Sequence, residues 1–472
     1  MKTKALNFFI IFLITISASL HAAETKSAKV TGWDMVPQIL KKIVPPKFPN
    51  KDYDIRKFGA IADGKTDCSQ AFERAIETCS DFGGGRIIVS EGTYLSKGPI
   101  HLKSNVNLHI KKSASIVFST DPKDYLPLVH VRWEGTECYN YSPMIYAYKE
   151  KNIALTGGGT IDAQSKETWA KWKKKQGPDK KILRQMGNDL VPVKERIFGE
   201  GHFLRPSMVQ LFDCENILIE GITIKDSPFW VVHPTYCKNV TVRKITVDSW
   251  NTNNDGCDPD SCTDVLIEDC LFKTGDDSVA IKAGRDQDAW RAGKRSENII
   301  VRNSKLRSRC NGLCIGSEMS GGVRNIFMEN CQLDEAGSVL FFKSNLDRGG
   351  CIENVFARNI TVNKCKSVVK FTNGYHGYRG NYFPTRFQRF QLENINCDTT
   401  TRTAISIGGV KDAFIKNVLI KNMNIKKAEK NTSVKFIDNV VFENVTINGK
   451  KQKSPESTPE NDEKKDKSDK AA

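Results

Sequence analysis

From Asn216 onward the chain repeats one short pattern. An Asn or Asp opens a run of alternating apolar residues, an Asn, Gly or Asp interrupts it, and two or three more apolar residues follow. The copies begin at Asn216 (NILIEGITI), Asn239 (NVTVRKITV), Asp264 (DVLIEDCLF), Asn298 (NIIVRNSKL), Asn325 (NIFMENCQL) and Asn354 (NVFARNITV). Looser copies start at Asp412 and Asn439. The first six starts are 23, 25, 34, 27 and 29 residues apart. Alternation predicts short strands, and the polar interruption predicts a tight bend. A strand–bend–strand unit of this length, lengthened here and there by insertions, predicts an all-β, single-stranded right-handed parallel β-helix. One coil cannot bury its apolar face alone, whereas stacked coils share a continuous core. Propeller blades need ~40–50 residues and four strands, so this period is too short for them. Asn at a bend can bond through its side-chain amide to the neighbouring coil.

The segments outside the repeat predict further parts. Thr66–Glu77 places Phe72, Ala75 and Ile76 at helical spacing, which suits a helix capping the open N-terminal end. Lys2 and Lys4 precede an apolar run from Phe8 to Ile16, and small residues lead to Ala22-Ala23. This is the pattern of a secretory signal over 1–23, too short to span a bilayer, so an exported protein without membrane insertion after cleavage is expected. Residues 24–50, with Pro37, Pro45, Pro46 and Pro49, read as an extended lead-in. Residues 51–449 are expected to form the parallel β-helix domain. Residues 450–472, with seven Lys, six Asp/Glu and no aliphatic larger than Ala, read as a disordered charged tail. An insertion at 165–200 carries ten Lys/Arg and two Trp and is either a solvated decoration or the wall of a cleft.

Composition narrows the partners. The chain has 472 residues, 71 Lys/Arg against 55 Asp/Glu and a net charge of +16. Because the tail is nearly neutral, the basicity belongs to the folded body. A basic body favours a polyanion, and for an exported chain that is an acidic polysaccharide rather than nucleic acid. Fourteen Cys are too few for a disulfide scaffold, and one or two bridges among otherwise buried thiols are expected. The Cys257/Cys262 and Cys310/Cys314 pairs lack a matching His cluster, so no zinc site is expected. No metal and no cofactor are expected, and a monomer is.

One window carries chemistry: Asn253-Asn254-Asp255-Gly256-Cys257-Asp258-Pro259-Asp260, followed by Gly275-Asp276-Asp277-Ser278. Asp255 and Asp276 lie 21 residues apart, about one coil. Equivalent positions on adjacent coils are ~5 Å apart, so Asp255, Asp276 and Asp277 converge on one exposed face. Like charges that close raise one pKa and leave another group ionised. The result is the acid and base that glycoside hydrolysis requires.

The stretch NNDGCDPDSC…GDDSVAIKAGR resembles the core signature of glycoside hydrolase family 28, the polygalacturonase-like pectin hydrolases. DIRKFGAIADGKTD…AFERAIE…GGGRIIVSEGTY is similar to the opening of pectin-degrading β-helix enzymes, and the likeness runs from about Asp54 to about Ile447. The resemblance implies single-displacement hydrolysis with inversion. It makes Asp276 the general acid, with Asp255 and Asp277 orienting and deprotonating the attacking water. Two departures stand out. The family's Gly-His-Gly aligns with Cys310-Asn311-Gly312, so a titrating histidine becomes Asn311. Its Arg-Ile-Lys aligns with Phe341-Phe342-Lys343, so Lys343 remains and the arginine becomes Phe341. An aromatic face there suggests a neutral sugar, such as rhamnose, in the leaving-group subsite.

The expected substrate-binding residues are Lys343, Asn311, Lys282, Arg285, Asn253, His233, Trp230 and Glu318, with Arg348 and Tyr375 as cleft-rim candidates. The leading expectation is an exo-acting hydrolase that releases galacturonic acid from pectin. The alternatives are a hydrolase of galacturonate–rhamnose linkages, a calcium-dependent polysaccharide lyase on the same fold, and a non-catalytic glycan-binding β-helix.

Overall fold

The computed structural model describes residues 31–458. The expected signal sequence over 1–23 and the last fourteen residues of the chain lie outside these residues. From Asn105 to Asn448 the polar bends sit in the left-handed region: Asn216, Asn239, Asp264, Asn298, Asn325 and Asn354 have φ between 56° and 60°. Asn and Asp tolerate that conformation better than branched residues, which explains their recurrence. Their amides form a ladder across coils. Asn239 donates to Asn216 at 2.8 Å, Asn325 to Asn298 at 3.0 Å and Asn354 to Asn325 at 3.0 Å. A second ladder joins Asn330, Asn359, Asn394, Asn422 and Asn444.

The bends connect parallel strands that stack in register as a right-handed parallel β-helix. One stack decides function. It runs through Ile145–Tyr148, Val209–Phe212, Val232–Thr235, Val279–Ile281 and Asn311–Ile315, and then through the ends of three longer strands, Val323–Lys343, Cys351–Thr372 and Arg386–Gly408. Val279, Leu313, Leu340, Val369 and Ile405 are register partners, and all are fully buried inside the coil. Each such side chain contributes ~1.5–3 kcal/mol by leaving water. The alternate positions of the same strands point outward and build the site.

The N-terminal cap is a helix over Ser69–Asp81, a few residues later than the sequence pattern suggests. It buries Ala71, Phe72, Ala75, Ile76 and Cys79. Three corrections concern other parts. The lead-in is not extended throughout, because Val36–Lys42 is helical. Val36, Ile39 and Ile43 there pack on Leu266, Ile300 and Phe327 of the coils. Residues 450–458 are ordered: Lys450–Lys451 pairs antiparallel with the last coil, and Ser454, Ser457 and Thr458 side chains accept from the Phe442, Asn439 and Ile437 N–H groups. A strand edge that would otherwise be open is thereby covered. No bridge forms, since all fourteen cysteines are free thiols. Twelve of them are buried, and they act as small apolar core residues.

The 165–200 insertion is a structured wall. Short 3-10 turns at Ser165–Glu167 and Trp169–Lys174 lead into a helix over Gly177–Asn188. Trp169 is fully buried against Tyr125, Tyr141 and Trp172, which anchors the wall to the coils. Among the described residues, no helix is long and apolar enough to cross a membrane.

Candidate active site

Both acidic turns arrive at one edge of the stack, one coil apart, because Cys257 pairs with Val279. Local packing fixes the turns. Asn254 is fully buried and donates to the Ser227 and Phe229 carbonyls at 3.0 and 2.8 Å, while accepting from Ser249 Oγ at 2.7 Å. Gly256 admits no side chain: a Cβ there would lie 2.5 Å from the Ser278 carbonyl oxygen.

The outer face is not an open surface. It is the floor of a cavity of about 270 Å³. Asp255 and Asp276 line it, together with Trp230, Asn253, Lys282, Arg285, Glu318 and Lys343. Arg348, Tyr375 and His376 close one side. The insertion contributes Lys173, Lys180 and Arg184, and Glu134 comes from the turn after Val129–Trp133. Two of the expected contacts lie elsewhere. His233 is fully buried behind Trp230, between Gln210, Ser207 and Thr235, and burial lowers its pKa and keeps it neutral. Asn311 reaches Asp277 rather than the cavity. Its Nδ2 donates to Asp277 Oδ1 at 2.5 Å, and its own Oδ1 accepts from Ser338 N–H at 3.1 Å.

The carboxyl groups are pushed in different directions. Asp276, half-buried, is raised by desolvation and by the charge of Asp277. Asp277 is fully covered. Burial pushes it up, but the Lys343 and Lys282 ammonium groups and the hydrogen bonds from Lys343 (3.0 Å) and Asn311 outweigh that, so it stays below the ordinary carboxylate value. Asp255 faces Asp258 deep in the site. Burial first, and then the charges of neighbouring carboxylates (Asp258, Asp276 and Asp277 for Asp255; Asp277 and Asp276 for Asp258), raise both well above normal, while Lys282 opposes at 3.8 and 4.0 Å. Neither oxygen of Asp258 has a hydrogen-bond partner, nor has Asp255 Oδ1. Both carboxyl groups are therefore biased toward the protonated form, and their titrations are linked. Lys282 also bonds Glu318 at 3.2 Å and lies 4.7 Å from the Trp230 ring centre. Glu318 pairs with Arg285 as well. Burial disfavours its charge, yet Lys282, Arg285 and Arg348 hold it well below the ordinary value.

The site therefore offers a cavity carboxyl group, Asp276, biased to carry a proton, one carboxylate, Asp277, that stays ionised, and a deeper pair, Asp255 and Asp258, both raised. Asp276, Asp277 and Cys310 come within 4.8 Å of one another. The set does not suit calcium, because Lys343 and Asn311 occupy both oxygens of Asp277 and a thiol is a poor ligand for a hard cation.

Residues 79–442 match the profile of Glycosyl hydrolases family 28. The chain belongs to that family. It is therefore a glycoside hydrolase. It is 41% identical to the hyperthermoactive exopolygalacturonase of Thermotoga maritima, with a TM-score of 0.84 over 88% of this chain and 96% of that one. It is 27% identical over 389 residues to a probable polygalacturonase of Vitis vinifera, covering 79% of this chain and 74% of the other. It is 25% identical over 433 residues to the exo-poly-alpha-D-galacturonosidase of Dickeya chrysanthemi, covering 84% and 71%. For this family 28 chain, the two departures from the motif take on structural meaning. Asn311 fixes Asp277 without titrating. Phe341 does not offer an apolar face to a sugar, because it is 6% exposed and the ammonium groups of Lys343 and Lys370 lie 5.6 and 4.7 Å from its ring centre.

Asp258, Glu134 and the insertion cations are site residues that sequence reasoning did not single out. Asp258 stands three residues after Asp255 in the same motif, and that spacing was a usable signal. Glu134 has none, since nothing in the sequence shows that a hairpin loop folds over a site more than a hundred residues downstream.

Proposed function

We propose that the chain hydrolyses α-1,4-linked galacturonan from the non-reducing end, releasing single galacturonate residues with inversion. The enclosure of the cavity carries this reading. The insertion walls it with Lys173, Lys180 and Arg184, and Arg379 ties that wall to the 373–385 segment by donating to the Arg184 carbonyl at 3.2 Å and Asn188 Oδ1 at 2.9 Å. A volume of about 270 Å³ is at the small end for ligand pockets (~300–1,000 Å³), which suits a terminal sugar rather than a length of polymer. The cations match the carboxylate of that sugar. The two exo-acting relatives are named for the same mode of attack.

In the reaction Asp276 gives its proton to the glycosidic oxygen as the C1–O bond breaks. Water attacks C1 from the opposite face and passes a proton to Asp255. For that step Asp258, which is fully buried, carries a proton of its own, while Asp255 faces the cavity as carboxylate beside Lys282. Asp277, ionised behind them, stabilises the positive charge that develops on the sugar. Lys343 and Asn311 keep it charged and fixed. Trp230 backs Lys282, which with Glu318 and Arg285 forms the cavity floor. The secretory pattern at 1–23 supports action outside the cytoplasm, and a monomer is part of the same reading.

Incubation with pentagalacturonate, without added metal, tests the reading. Galacturonate and tetragalacturonate as the first products, the galacturonate appearing as the β-anomer, support it, whereas dimer and trimer as first products contradict it. A product absorbing in the ultraviolet, or no product at all, contradicts it.

A further inference from the structure

Lys370 is the register partner of Phe341 on the next coil and stands just outside the residues that line the cavity. It is half-buried, and its Nζ lies 4.7 Å from the Phe341 ring centre. Among the described residues it has no carboxylate partner. Its charged neighbours are Arg402, Lys343 and Lys366, all cationic. Lys343 is already committed to Asp277 at 3.0 Å. Burial first, and these like charges second, pull the Lys370 ammonium below the ordinary lysine value. A half-buried cation among cations is an uncompensated charge, and an arriving anion relieves it. The Phe341 ring compensates only in part, since a cation over an aromatic face gains ~0.5–2 kcal/mol.

We propose that Lys370, seated on Phe341 and flanked by Arg402, binds the carboxylate of the sugar that leaves, so that the leaving group is a uronate rather than a neutral sugar. This rests on the exo-hydrolase reading above. The terminal sugar fills the cavity, and the next sugar emerges past Phe341 toward Lys370. Lys370 then sets specificity without taking part in bond breaking.

The test compares wild type, Lys370→Met and Lys370→Arg on two substrates that differ only in the leaving sugar: digalacturonate, and galacturonate α-linked to rhamnose. Wild type is expected to prefer digalacturonate. Lys370→Met should lower kcat/KM on digalacturonate about tenfold or more, mostly through KM, and on the rhamnose substrate by threefold at most. Lys370→Arg should recover most of the loss, which separates a lost charge from a damaged fold. Equal losses on both substrates, no loss on digalacturonate, or wild-type action on the rhamnose substrate alone would overturn the assignment. Wild type inert on both would overturn the exo-hydrolase reading and this assignment with it, a result distinct from the others.

Discussion

The inner and outer faces of the same strands obey opposite rules. Inside, Val279, Leu313, Leu340 and Val369 repeat one solution, each fully buried and stacked on its register partner. Outside, the alternate residues of those strands and the turns beside them gather Asp255, Asp258, Asp277, Lys282 and Lys343, charged yet also buried. The inner face gains free energy by leaving water. The outer face loses hydration and recovers it only through pairing, and Asp258 is left with no hydrogen bond at all. Stability therefore resides in the ladder and reactivity in the turns that interrupt it. The scaffold tolerates the unfavourable outer face because the inner one is long and redundant.

The largest break in that contrast should come from Asp276→Asn. Loss of the proton donor is expected to lower kcat by about 10²–10⁴, with the thermal midpoint little changed. Retention of kcat within tenfold would remove Asp276 from the acid role. Leu313→Ala should do the reverse, costing about 2–5 kcal/mol in denaturant unfolding while the folded fraction keeps its KM. Glu318→Gln sharpens the comparison because it leaves Lys282 and Arg285 short of a counter-charge. A loss of about 3–5 kcal/mol is expected, as for breaking a buried pair. Glu318 is held well below its ordinary pKa. Its contribution is thus present above the unfolded carboxylate value and fades as pH falls toward the folded one. The wild-type advantage over Glu318→Gln should shrink in acid.

A subtler probe is Asp258→Asn against Asp258→Leu. The amide mimics a protonated carboxyl group and should keep activity within about tenfold, whereas leucine should lose considerably more. Equal activities would remove Asp258 as the proton holder. Smallest of all is Lys343→Met read through the pH profile. Lys343 lowers Asp276, the proton donor, so its removal should move the alkaline limb of kcat/KM to higher pH. An unmoved alkaline limb would mean that another group controls it.

Much of this was legible in the sequence, for physical reasons. The Asn and Asp bends announce themselves because few other residues sit comfortably at φ near 57°, and alternation marks every strand. Asp255, Asp276 and Asp277 were found because a repeat converts sequence spacing into spatial register. The same logic could not reach His233 or Asn311 correctly. Register puts them on the outer face but does not say whether another side chain covers them, and Trp230 and Asp277 do. Phe341 follows the same rule, since register does not say that the Lys370 side chain lies over its ring. Helix Val36–Lys42 was hidden by its prolines, although Pro37 stands in the first turn, where proline suits a helix. The ordered 450–458 segment was hidden because its serines bind through backbone edges that leave no hydrophobic trace.

The most direct test of the central claim is a proton NMR time course of trigalacturonate hydrolysis. The account predicts free galacturonate as the first product, appearing as the β-anomer before mutarotation, with digalacturonate alongside and no unsaturated sugar. First appearance of the α-anomer, or an unsaturated product, would contradict it.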